Sequence, residues 1–378
     1  MGQSAEEIAR SSLRACYGDE GIFAGIHHFK DYWARDGFFA SLGALEIGDS
    51  GIVKKNLQLF LTSLKKDGQV PLRIGKSSLG LAISSLGIIL GRRKPIYDVD
   101  LTSTKPSDSN PLLIIAAHAY YLKTRDKYIL ENLPLLEKAL EWGHQRCDQD
   151  CLLEEEERCN WADSVKKKGK VFYTNVCHFK SIQCLAELYE QAKKIEKASH
   201  YSRIAKDVKV RLNQHFWTGE HYADWIDREK IFNFFSTDGN MLAILWEVAD
   251  KDKANKIIDC SMTFGLQDTP SGCVHPYYPI EDIGWHTKMI GLKDYHNGLS
   301  WLWLGAISTL ALLKVGRISE AKELMDKIDT LIEDHEEVYE VYDGGFPVNR
   351  TLYRSEHPFA WSAGLVALAH SELKKHRK

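Results

Sequence analysis

The sequence predicts an all-α domain, on three observations. Apolar residues recur three or four apart through most of the chain, and almost nothing between those stretches alternates with the two-residue period of a strand. No Pro/Gly-rich linker and no break in composition divides the 378 residues. One closed helical unit can reach that length. With 44 % hydrophobic and 27 % charged residues the composition is ordinary for a globular chain with a sizeable core.

In chain order, helical periodicity marks residues 40–47, 52–64, 112–123, 128–146, 177–192, 198–216, 239–248, 299–313, 320–333 and 361–373. Several have plausible starts: Asp49-Ser50-Gly51 before the second, Thr124-Arg125-Asp126 before the fourth, and Ser319 before the ninth. Residues 219–226 and 338–342 are the two short aromatic stretches expected to pair as strands. Residues 1–24 read as a lead-in and 25–378 as one domain. Helical hairpins recur without the strict period of a TPR or HEAT array, and a solenoid stands as an alternative arrangement on pattern alone.

Charge and targeting signals narrow the function classes. The net charge is −3, and the basic runs Lys166–Lys170 and Lys374–Lys378 are too short for a convincing nucleic-acid footprint. The best apolar stretch, Leu299–Val315, is interrupted by Gly305, Ser308 and Lys314, so no bilayer span and no membrane partner are expected. The polar, acidic start is wrong for a secretory signal, and Gly2 followed by Ser4 is a poor myristoylation site. Eight irregularly spaced cysteines read as free thiols, and cytoplasm is the expected compartment. Cys147, Cys151 and Cys159, with His144 just before them, raise the question of zinc. Their spacing matches none of the paired Cys-x-x-Cys patterns, so buried thiols are the expectation, with no metal and no cofactor. The oligomeric state is not set by the sequence.

Five clusters of aromatic and charged residues punctuate the helical patterns. Trp33-Ala34-Arg35-Asp36 sets an aromatic platform beside a guanidinium and a carboxylate, suited to a sugar ring; a surface ion pair beside a buried Trp is an equal reading. Asp108-Ser109-Asn110-Pro111 holds an acid which, taken alone, is better read as a helix cap. Asn160-Trp161-Ala162-Asp163-Ser164 couples an indole to a carboxylate that, alone, fits a loop residue. Tyr295-His296-Asn297-Gly298 leads into Leu299-Ser300-Trp301-Leu302-Trp303 and a very apolar helix; a structural histidine is the bland account of His296. Glu340-Val341-Tyr342-Asp343-Gly344, where an exposed strand acid is the bland account, precedes Ala360-Trp361-Ser362 at the start of the last helix.

Taken in that order, the five clusters resemble the catalytic domain of glycogen-debranching amylo-alpha-1,6-glucosidases, and are similar to the neutral and alkaline invertases. The resemblance runs from about residue 25 to 373. It implies an (α/α)6 barrel of six inner and six outer helices with a sugar pocket at one rim. It also implies hydrolysis with inversion, Asp163 matching the general acid and Glu340 the general base. Trp33, Arg35, Asp36, Asp108, Trp161, His296, Asn297, Trp301 and Trp361 match positions that line or support the sugar subsite. Ala34, Asn110 and Tyr339 depart from the glycine, threonine and proline frequent at those positions, which leaves substrate identity open.

The chemistry behind that assignment is general. A departing alkoxide must be protonated and water delivered to the anomeric carbon, so one carboxyl must be protonated and the other ionised. An ordinary Asp titrates at about 3.9, so Asp163 would need burial or a neighbouring negative charge such as Asp108 to keep its proton. The expectation is a compact inverting hydrolase of an alpha-glucosidic bond in an oligosaccharide or glucan. The alternatives are an invertase-like sucrose hydrolase and a catalytically silent sugar-binding or helical interaction protein.

Overall fold

The computed structural model describes residues 2–75, 93–99, 102–268 and 270–376, so the last two residues of the basic C-terminal run lie outside the described residues. The helices are α1 (Ala5–Ala15), α2 (Ala34–Glu46), α3 (Ser50–Thr62), α4 (Ser109–Thr124), α5 (Lys127–Glu131), α6 (Leu133–His144) and α7 (Phe172–Gln191). They continue with α8 (Ile195–Phe216), α9 (Thr237–Leu245), α10 (Lys251–Thr263), α11 (Trp285–Met289), α12 (Leu302–Val315), α13 (Ile318–His335) and α14 (Ala360–Lys375).

Packing closes these helices into a double ring. α2, α4, α7, α9, α12 and α14 touch in that order, and α14 returns to α2. Around them stand α3 against α2 and α4, α6 against α4 and α7, α8 against α7, and α10 against α9 and α12. α13 packs on α12 and α14, and α1 on α13 and α14. This is the (α/α)6 barrel. Closure excludes the solenoid, whose terminal repeats would not meet. The span 1–24, read as a lead-in, contains α1, which fills the outer ring at the seam.

Composition explains which helix goes where. α4 and α12 are buried almost all round and are apolar on every face, as inner-ring helices must be. The outer α8 buries Ala198, Tyr201, Ala205, Val208, Leu212 and Phe216, one stripe at three- and four-residue spacing. At the α14–α2 seam, Gly364 and Gly43 let two backbones meet: a Cβ on Gly43 would lie 1.9 Å from the Gly364 carbonyl oxygen.

Several boundaries differ from the sequence reading. α2 and α7 begin about two turns and one turn earlier than their periodicity indicates, because their first turns carry polar site residues that break the apolar pattern. The stretch 128–146 is two helices, with Asn132 between them and Pro134 opening the second. α12 starts at Leu302, since residues 299–301 are extended, and α13 starts at Ile318, one residue before Ser319. α1 and α10 lie outside the spans that periodicity marks. Asp126 does cap α5, accepting from the Tyr128 amide at 3.0 Å. Strands are more numerous than expected but two or three residues long. Tyr32–Trp33, Lys170–Val171 and Phe235–Ser236 run directly into α2, α7 and α9 and aim their first turns.

Candidate active site

All six inner helices begin at the same rim, because residues of their first turns touch across the axis. Arg35 in α2 reaches Asp108 at the start of α4, and Tyr173 in α7 reaches the same carboxylate at 3.4 Å. Trp161 donates its indole N–H to Asp238 in α9 and packs edge-on against Trp301, Trp303 and Trp361, at the starts of α12 and α14. The converging N-termini bring six sets of unpaired amides and the positive ends of six helix dipoles to one end of the barrel. That field favours the acids gathered there.

Beneath the rim, aromatic rings fill the barrel axis. Trp161, Trp303, Trp361 and Phe39 form a continuous column, with Trp303 and Trp361 stacked at 4.4 Å and Trp361 on Phe39 at 5.1 Å. At the far ends of the inner helices lies a separate, half-open pocket of about 470 Å³, mostly apolar, lined by Leu42, Leu245, Ile307, Leu310 and Leu365 with Lys314 and Glu372 at its edge. The aromatic column therefore separates the polar rim from this pocket.

Arg35 grips Asp108 through two hydrogen bonds, at 2.5 and 3.2 Å. Asp108 occupies the N-cap position of α4 but accepts no helix amide; its carboxylate is spent on Arg35 and Tyr173. Asp36, one residue on, is buried. Burial, with repulsion from Glu340 and Asp108 and against the pull of Arg35, lifts its pKa to about 7. Trp33 lies just outside this group, its ring 5.3 Å from the Arg73 guanidinium and edge-on to Phe29.

The Asp163 side chain is 46 % exposed, opening to the mouth, while protein crowds it on its other sides. That desolvation raises its pKa, helped by Asp108 and opposed by Arg35 and Arg158. His296 Nδ1 faces its carboxylate at 3.9 Å and hydrogen-bonds Ser164 Oγ at 2.9 Å. Burial, with the charges of Lys167 and Arg35, drives the His296 pKa far down, so this ring is neutral. It stacks on Trp301 at 5.3 Å. Behind the acid, its loop is tied to the 280–285 segment by Lys166 N–H to Asp282 O at 2.8 Å and Gly284 N–H to Ser164 O at 2.7 Å. This ladder sets the exposed Trp285 on the Asp163 side of the mouth.

Glu340 sits on the other side, 2 % exposed. The Tyr295 hydroxyl donates to one of its oxygens and the Tyr353 hydroxyl to the other. Burial raises its pKa while the two tyrosines oppose that rise. Oε2 also accepts from the Glu356 amide at 3.4 Å, so of the carboxylate's roughly four acceptor sites the one left for water is on Oε1, beside the Tyr295 hydroxyl. Behind it Glu356 is completely enclosed, accepting from the amides of Ile26, His27, His28 and Phe29 at 2.8–3.1 Å and from His28 Nδ1 at 2.8 Å. Burial works against that charge, but His28 and the amides outweigh it and hold the pKa at about 2.

Of the residues named from sequence, Arg35, Asp36, Asp108, Asp163, Glu340 and His296 gather at one rim of the barrel. Trp161, Trp301 and Trp361 are buried in and under its floor. Asn297 braces it from behind: its amide exchanges hydrogen bonds with the Tyr278 backbone at 2.8 and 3.2 Å. Asn110 likewise clamps Val70, Gly68 and Ala139. Sequence reasoning missed Tyr353, Glu356, Asp238 and Arg158 as partners. It quoted Tyr295 without giving it a role, although its place beside His296 was the available signal. Tyr353 lies in a two-residue strand with no pattern to mark it.

Residues 102–269, fewer than half of the chain, match the family model of the bacterial alpha-L-rhamnosidase six-hairpin glycosidase domain. No curated protein matches in sequence. Among solved structures, the GH63 mannosylglycerate hydrolase from Thermus thermophilus in complex with glucose is similar over 96 % of this chain and 99 % of its own, at 15 % identity and TM-score 0.72. A rhamnosidase from Klebsiella oxytoca with rhamnose bound is similar over 99 % of this chain, at 15 % identity and TM-score 0.70, and the chain spans 63 % of that enzyme. A GH78 rhamnosidase of Bacillus sp. GL1, at 18 % identity and TM-score 0.70, is covered over 34 % of its length. At these identities the likeness is one of fold. No helix among the described residues is long and apolar enough to cross a membrane.

Proposed function

We propose that this protein is an inverting glycoside hydrolase that removes one terminal sugar from an alpha-glucoside, with Asp163 as general acid and Glu340 as general base. The observation that carries the reading is the placement of two carboxyl groups by consecutive residues: His296 faces Asp163 while Tyr295 holds Glu340. Protonating the leaving oxygen from one side and activating water from the other is what an inverting displacement requires. Arg35, Asp36 and Asp108, gathered at the same rim, offer the polar contacts that would fix sugar hydroxyls. The fold shared with sugar-processing enzymes supports the same reading.

The test is a panel of maltooligosaccharides, isomaltooligosaccharides, sucrose and mannosylglycerate, with the anomer of the first-formed product read by NMR. The expected product is the beta anomer from an alpha-linked substrate, with turnover lowered about 10²–10⁴-fold in both Asp163→Asn and Glu340→Gln. Retention of configuration, or near wild-type turnover in either variant, overturns the assignment.

One observation favours a second reading of the leaving group. Arg158 lies against Asp163, its Nε donating to the Asp163 carbonyl at 3.2 Å, and puts a cation on the side where the leaving group departs. An anionic aglycone such as glycerate suits that charge, and mannosylglycerate in the panel separates it from a neutral glucan.

A further inference from the structure

α6 ends on His144, the turn after it carries Cys147, and the second turn of α7 brings His178 against both. Cys147 Sγ stands 3.6 Å from His178 Nε2, and one coordinating atom from each of the three residues lies within 4.8 Å of the others. The two rings meet edge-on at 5.0 Å. His178 is 1 % exposed, and His144 Nε2 is shut off from solvent without a hydrogen-bond partner. An unpaired buried polar atom is destabilising, so a convergent set of two imidazoles and a thiol stands out from the sulfur chemistry elsewhere in the core.

The geometry points to a binding site for one borderline-soft divalent ion of the Zn²⁺ class, held by His144, Cys147 and His178. Tetrahedral zinc, with Zn–S near 2.3 Å and Zn–N near 2.0–2.1 Å, places sulfur and nitrogen about 3.6 Å apart, the spacing already present between Cys147 and His178. The remaining edges run to His144 at the end of α6, within 4.8 Å. One thiolate and two imidazoles select zinc over magnesium or calcium, which take oxygen ligands. On coordination the Cys147 thiol releases its proton to solvent, and the fourth position is left to water.

The site is structural in consequence. Cys147 bridges to Leu153, and Asn175 in α7 holds the Leu153 backbone at 2.7 and 2.9 Å. An ion here would complete that clamp at the root of the segment carrying Glu155, Asn160 and Asp163. It is also where the sequence raised zinc, with one change: Cys151 and Cys159 give way to a histidine from a distant helix.

Cobalt titration of the metal-stripped protein tests this. Saturation is expected at one equivalent, with a near-ultraviolet sulfur-to-cobalt charge-transfer band that Zn²⁺ abolishes by displacement. The band should vanish in Cys147→Ser, persist in Cys159→Ser, and need more than about tenfold higher Co²⁺ in His144→Ala. No saturable band, or one that survives Cys147→Ser, overturns the site. If Cys147→Ser does not fold, unchanged Co²⁺ affinity in His144→Ala, a change at a partly exposed helix end, overturns it equally.

Discussion

At the scale of single residues, the electrostatics of the mouth predict how activity responds to pH. Burial raises the pKa of Glu340, and the hydroxyls of Tyr295 and Tyr353 hold it down. As the proposed base, Glu340 must be ionised, so activity is expected to be lost as pH falls through its pKa; Asp163, the proposed acid, also raised, must stay protonated, so activity is expected to be lost as pH rises through its own. Tyr353→Phe removes a donor from the ionised form and should move the acidic limb of kcat/KM to higher pH while leaving the alkaline limb in place. An acidic limb that does not move would show that Glu340 is not the group titrating there. Glu356 is the opposite case. Its pKa is held at about 2, below the ordinary value of 4.5, so its contribution to stability is complete above about pH 4.5 and is lost as pH falls toward 2. Glu356→Gln sets an amide NH₂ among N–H donors and should cost roughly 2–3 kcal/mol at pH 7. In urea melts that deficit should shrink toward pH 2 as the wild-type carboxylate protonates.

At the scale of elements, the first turns of the inner helices do the positioning. Arg35, Asp36, Tyr173 and Asp238 belong to helices, where backbone hydrogen bonds fix their direction, rather than to free loops. The periodicity for α2 begins only at Ala40, because a first turn that faces a polar rim has no apolar stripe to display. The α14–α2 contact supplies a sharp test. A Cβ on Gly364 would lie 2.7 Å from the Ala40 Cα and 2.9 Å from its carbonyl oxygen, both backbone atoms that cannot swing aside. Gly364→Ala should therefore lower stability by about 1–3 kcal/mol by calorimetry, despite the better helix propensity of alanine. An unchanged or raised melting temperature would show the two helices free to separate.

At the scale of the whole molecule, the barrel is a ring whose last inner helix closes on its first, and α1 covers that closure through α13 and α14. Deleting residues 2–15 would uncover Ile8 and Leu13 contacts in the outer ring. The expected result is a clear fall in melting temperature with loss of activity, since Glu340 and Trp361 both lie on chain that reaches the mouth beside this seam. The site is also a property of long-range contacts: Arg35 meets Asp108 across 73 residues, and Glu356 meets Ile26 across 330.

What the sequence determined by itself was the local and the repetitive. Three-to-four spacing marked most of the helices, because a helix must bury a stripe whatever it packs against. Five polar-aromatic clusters in order marked the segments that form the mouth, through resemblance rather than through any one motif. Asp108 shows the limit of local reading. In sequence it is a good helix cap, yet its carboxylate is taken by Arg35 and Tyr173, because a buried guanidinium leaves it no cheaper partner. Tyr353 on Glu340, the Glu356 nest, the aromatic column and His178 beside Cys147 were decided only by the tertiary structure. Each joins residues from separate elements, and no periodicity within one element encodes which distant side chain will lie against it once the ring has closed.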